Sequence, residues 1–141
     1  MAFITRRDNM FKTFLLLASL VFSSAIFADE TKSVQLEISE EKGVDRHYYH
    51  FGSQWINTRS YINYRVTNTG TTPLVFQRAV VGGANFYARH NCTGILNPGA
   101  RCQFTIEYAP FFEGYHMGYF RLSFNQGYEI HVDVSGDARR M

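Results

Sequence analysis

The chain has 141 residues, room for one domain and not for two independent cores. It carries 14 Lys and Arg against 12 Asp and Glu, a formal charge of +2. Arg6, Arg7, Lys12 and Asp8 all fall in the first 28 residues, so the remainder holds eleven basic and eleven acidic residues. That balance gives no overall electrostatic argument for nucleic acid or an anionic membrane as partner.

The first element in chain order is a leader. Arg6, Arg7 and Lys12 precede an uncharged run from Thr13 to Phe27, and Ala28 and Asp29-Glu30 follow it. A charged start, a short apolar stretch and a small-residue end are the pattern of a secretory signal peptide. We expect residues 1–28 to be that signal, cleaved after Ala28, with Ala25 as the alternative site because Ile26 is larger than usual at its position. The competing reading is an uncleaved anchor. A spanning helix needs about 20 apolar residues, and this run is shorter and diluted by Ser19, Ser23 and Ser24. The expected location is therefore periplasmic or secreted, with no membrane span after cleavage.

Export implies an oxidising compartment, where thiols pair. Cys92 and Cys102 are the two cysteines of the chain, and a disulfide between them is expected. A zinc site would normally want four ligands, and no Cys-x-x-Cys spacing is present.

The remaining segments read as strands. Val34, Leu36 and Ile38 alternate with polar residues, and Ile62, Tyr64 and Val66 alternate with Tyr61, Asn63, Arg65 and Thr67. Asn68 to Pro73 is turn chemistry. Asn68 and Gly70 there tolerate the positive backbone angles that a strand-end turn can require. Leu74 to Val81 is a more continuous apolar strand, interrupted by Gly82-Gly83 before Phe86. Asn91 to Ala100 is a loop turning at Asn97-Pro98-Gly99. Cys102, Phe104, Ile106 and Tyr108 share one parity, and Pro110 ends their strand. Gly114 and Gly118 read as a bend before Phe120, Leu122 and Phe124. Gln126-Gly127 suits a tight turn, and Ile130, Val132 and Val134 return to Gly136. The expectation is an all-β, antiparallel sandwich of about seven strands over residues 29–138, preceded by the signal peptide, with 139–141 as a polar tail.

Chemistry is sparse. His47 and His50 are the alternative metal pair, and a site there needs Asp45 or a distant histidine as a further ligand. On a strand, residues three apart point to opposite faces. His90 lies two residues before Cys92, but a bridged cysteine is no nucleophile. No Gly-x-Ser-x-Gly, Ser-x-x-Lys, phosphate loop or dinucleotide fingerprint occurs. Asn91-Cys92-Thr93 fits a glycosylation sequon and is read as incidental. The best surface candidates are aromatic: Tyr48, Tyr49 and Trp55 around Phe51, and Tyr61 on the outward parity of its strand. Phe111, Phe112, Tyr115 and Tyr119 cluster around Gly114 and raise the same question.

An ordered set of residues carries a family resemblance. Phe51-Gly52-Ser53 opens it, and Val66-Thr67-Asn68-Thr69-Gly70 with Pro73-Leu74 follows. Phe86 and Cys92 precede Leu96-Asn97-Pro98-Gly99-Ala100-Arg101-Cys102. Phe104, Ile106, Tyr108 and Pro110, then Gly114 and Gly118, lead to Val134-Ser135-Gly136-Asp137-Ala138. Over residues 50–138 the chain resembles the ASH/Hydin type of immunoglobulin-like domain, including the bacterial secreted relatives called choice-of-anchor D. It departs from them at Gln54-Trp55-Ile56-Asn57, where small residues are usual, and it holds a single copy.

The resemblance implies a protein-interaction or structural module, related in fold to major sperm protein and the pilus chaperones, and it brings no catalytic residues. The reading is a non-catalytic exported module of the cell envelope with an envelope or extracellular protein as partner, no cofactor, and self-association as a further expectation. The alternatives are a small periplasmic metal-binding protein using histidines and a carbohydrate-binding module using exposed aromatics.

Overall fold

The computed structural model describes residues 32–39 and 43–141; the expected signal peptide and its cleavage site lie outside the described residues. Nine strands follow in order: β1 (Ser33–Ile38), β2 (Val44–Trp55), β3 (Ser60–Asn68), β4 (Leu74–Gly82), β5 (Phe86–His90), β6 (Ile95–Leu96), β7 (Arg101–Tyr108), β8 (Gly114–Phe124) and β9 (Glu129–Arg139). They form a four-stranded sheet in the order β1-β3-β7-β5 and a five-stranded sheet in the order β2-β9-β8-β4-β6.

The period-two pattern explains which faces meet. Ile62, Tyr64 and Val66 of β3 and Phe104, Ile106 and Tyr108 of β7 are buried against Phe120, Leu122 and Phe124 of β8 and Ile130, Val132 and Val134 of β9. Aromatic rings pack within and between the layers: Tyr64 stacks on Phe104 of the same sheet at 4.8 Å between centroids, and Phe104 reaches across to Phe120 of the other sheet at 4.5 Å. Phe86 stacks on Tyr108 at 4.8 Å. Burial, helped by the neighbouring Tyr49 and Asp137 respectively, pushes the Tyr64 and Tyr108 hydroxyls up to about 12.

Two pairings depart from the expected antiparallel order. β1 runs parallel to β3, with Leu36 opposite Val66, and β2 runs parallel to β9, with Tyr49 opposite Val134. Parallel neighbours need a crossover, and here β2 in the opposite sheet is the crossover between β1 and β3. The stretch holding His47 and His50 is extended, part of the 12-residue strand β2. Its period is hidden by a bulge: register shifts between His50 and Ser53 around Gly52, which has φ +79°. The extra residue moves the outward parity from Tyr48 and His50 to Ser53 and Trp55.

The glycine reading is corrected at three places. Asn68 and Gly70 are not among the positive-φ residues. Gly114 has φ +121° and does turn the chain, but Gly118 lies inside β8, where a Cβ would collide with the Phe86 ring and the Gly82 carbonyl. Gly136 is likewise inside β9, where a Cβ would strike the Tyr108 ring, so the last strand continues to Arg139 rather than ending there. The expected turn at Gln126-Gly127 is present, with φ of 62° and 77° at the two residues.

The Cys92–Cys102 disulfide is formed, with 5.0 Å between Cα atoms. It closes the segment in which the chain leaves β5, pairs Leu96 with Leu74 through β6, and re-enters the first sheet as β7. Both cysteines are buried.

Candidate functional site

The outer face of the five-stranded sheet assembles an aromatic patch that the expected set only partly contained. Residues of β8 alternate, so burying Phe120, Leu122 and Phe124 turns Tyr115, Met117 and Tyr119 outward. The parallel pairing of β2 with β9 brings Tyr48 and His50 alongside Asp133 and Ser135. Met117 is 68% exposed, Tyr48 62% and Tyr115 58%. Monomeric surfaces seldom gather such side chains without a use for them.

Ser135 is the hub of the patch. It is fully buried beneath it, and its Oγ lies 2.5 Å from the Tyr48 hydroxyl and 2.8 Å from His50 Nδ1. The Tyr115 ring stacks on His50 with centroids 6.3 Å apart. Hydrogen bonds from Ser135 and then Tyr48 hold the Tyr115 hydroxyl below the ordinary tyrosine value. At the other end Arg121 sits over the Tyr119 ring at 4.9 Å and its Nη2 donates to Asp133 at 2.7 Å. These contacts hold the Tyr48, Tyr115 and Tyr119 rings in place, and Met117 stands between Tyr115 and Tyr119 on β8, opposite Ser135.

A serine beside a histidine is two thirds of a hydrolytic triad. Here Ser135 has no exposed surface, and among the described residues no carboxylate is hydrogen-bonded to His50. The contact therefore orients rings instead of activating a nucleophile.

The expected surface residues separate. Tyr48 is in the patch. Tyr49 points inward, packed edge-on to Phe51 at 4.8 Å. It is partly buried against the core, so it is not part of an exposed surface. Trp55 is exposed at the far end of β2, opposite Arg139. Tyr61 is exposed on the other sheet, beside Glu107 of β7. The histidines diverge as well. His47 is partly buried, 3.0 Å from Asp45 Oδ2, with its ring 6.4 Å from that of Tyr64. His50 faces out. Among the described residues, no three His, Cys, Asp or Glu side chains converge on a common point.

The patch residues missed from sequence were Met117 and the assembly itself. The alternation of β8 carried the signal for Tyr115, Met117 and Tyr119, since all three oppose the parity of Phe120.

Residues 43–137 match the family described as HYDIN/CFA65/VesB-like, Ig-like domain. The chain belongs to this family. Membership of this Ig-like family suggests an interaction module, a family type that is typically non-enzymatic. Among solved structures, the chain is similar to the protease VesB of Vibrio cholerae, with TM-score 0.56 and 15% identity over 64% of this chain and 30% of that one. It is also similar to the secreted serine protease VesC of Vibrio cholerae, with TM-score 0.51 and 18% identity over 63% of this chain and 21% of that one. The chain thus spans under a third of either protease, and at these identities the likeness is one of fold. No curated protein sequence matches.

Proposed function

We propose that the protein is exported to the periplasm or beyond, and that its domain binds an envelope or extracellular protein through the outer face of the five-stranded sheet. The observation that carries this reading is the exposed array of Tyr48, Tyr115, Met117 and Tyr119, its tyrosines held in place by Ser135 and Arg121. Tyrosine and methionine are enriched where proteins meet, because they supply large contact area that still tolerates water when unbound. The buried disulfide supports export, since such bonds persist in oxidising compartments. The secreted VesC carries a domain of the same fold.

Purified protein immobilised as bait and exposed to envelope extract tests the reading. A defined partner should be retained by the native protein and by Tyr61→Ser, whose change lies on the other sheet. The double variant Tyr115→Ser, Met117→Ser should lose it. Equal retention by all three proteins would remove the five-stranded face from the account.

A further inference from the structure

The outer face of the four-stranded sheet has a different chemistry. Its cross-strand rows are set by register: Tyr61, Glu107 and Tyr87 form one, Ser33, Asn63, Thr105 and Arg89 the next, then Gln35, Arg65 and Gln103, then Glu37, Thr67 and Arg101. Arg59 precedes the first row and bonds Glu107 Oε1 at 3.2 Å. Arg59, Arg89, Arg65 and Arg101 are all exposed. Arg89, Arg65 and Arg101 therefore occupy three successive rows, and Arg59 lies beyond the first row, which holds no arginine. Rows on one face lie about 6.7 Å apart, so the stripe runs for about 20 Å.

Two separate depressions lie along the stripe. A cleft of about 530 Å³ lies at one end, walled by Tyr87 and Phe111 with Arg59 and Arg89 beside them. A shallower depression of about 320 Å³ adjoins Arg65 and Arg101. The first cleft falls in the size range of small-ligand sites. Its rim is tied down: the Asn57 amide donates to the Pro110 carbonyl at 2.7 Å, and the Phe111 amide donates to Asn85 Oδ1 at 3.2 Å. Glu107 answers Arg59, while Arg65, Arg89 and Arg101 have no ion pair among the described residues.

We propose that this face binds a linear acidic polysaccharide of uronate type. A row of unpaired guanidinium groups suits anions repeated along a chain, because each fork can take a carboxylate with two parallel hydrogen bonds. The exposed Tyr87 and Phe111 rings offer flat apolar surface to the faces of a pyranose, and Asn57 and Thr105 offer polar partners to its hydroxyls. Backbone groups of β3 and β7 are consumed by their own ladders, which favours a ligand read by side chains over an added strand. The near-neutral total charge conceals this local concentration. The site is independent of the tyrosine and methionine patch on the opposite face.

The test is an NMR titration of the full exported protein with a galacturonic-acid hexamer, a neutral hexose hexamer and a single-stranded DNA hexamer. The uronate should shift the amides of Tyr87, Arg89 and Arg101, with the neutral sugar at least tenfold weaker. Raising salt from about 0.05 M to 0.5 M should weaken uronate binding, as contacts between exposed charges are screened. The double variant Arg65→Gln, Arg89→Gln should fold, judged by an unchanged amide spectrum elsewhere, and bind the uronate at least tenfold more weakly. Absence of shifts at millimolar uronate, equal binding of the neutral sugar, or tighter binding of DNA would each overturn the proposal.

Discussion

Asn68 is 1% exposed, yet its amide is fully occupied. Its Nδ2 donates to the Thr72 and Leu96 carbonyls at 2.8 and 2.9 Å, and its Oδ1 accepts from the Gly70 amide at 3.0 Å. Its backbone adds bonds to Ala100 and Gly99. One side chain thus ties the turn after β3 to the loop that carries β6. Each such bond contributes on the order of 1 kcal/mol, and an orphaned buried partner costs more. Asn68→Ala should therefore destabilise by about 2–3 kcal/mol, read as a fall in the urea midpoint. The turn itself was legible, since Asn, Gly and Pro announce it. The amide's reach to Leu96 was not, because that contact crosses 28 residues of sequence.

His116 gives a pH dependence at the same scale. It is buried, its Nδ1 lies 2.8 Å from the Tyr108 hydroxyl, and the Phe112 ring is edge-on at 4.5 Å. Burial lowers its pKa, with the Asp137 charge opposing. The unfolded chain takes up the proton near the ordinary value of about 6.5, and the folded chain only at lower pH. The stability tied to neutral His116 is whole above that ordinary value and is lost as pH falls through the folded one. The urea midpoint should decline on acidification below about 6.5, and the decline should be shallower in His116→Gln. Identical slopes in the two proteins would show that His116 is not the group responsible.

Among the elements, the loop between β5 and β7 depends on its bridge. Closing about 11 residues restricts the unfolded chain by about 2.8 kcal/mol in the loop-entropy account. Cys92→Ala with Cys102→Ala should cost about that much in chemical denaturation, and reductant should lower the native midpoint similarly. β3, β7, β8 and β9 were legible as strands because their apolar residues keep a period of two over the buried half, and β4 was legible as a continuous apolar run, although a bulge between Phe76 and Arg78 breaks its alternation. β2 was not: its inward positions begin with Asp45 and His47, and its bulge reverses parity before Trp55. As the edge of its sheet, β2 tolerates polar inward residues that a central strand would not.

For the whole molecule, the two sheets present unlike faces, one of tyrosine and methionine and the other of arginine. Alternation along each strand showed which residues would point outward. It could not show which strands would be neighbours, so Tyr48 and Tyr61 read as one surface although they stand on opposite sheets. Parallel pairing of β2 with β9 is the long-range fact that makes the patch, because it sets Tyr48 and His50 over Ser135. The most direct test of that patch places a photo-crosslinking residue at Met117 in the protein expressed in its own cells, with Gln103 on the four-stranded sheet as the comparison site. Illumination should give one discrete protein adduct from position 117 and none from position 103. No adduct from 117, or the same adducts from both positions, would contradict a partner docked on the five-stranded face.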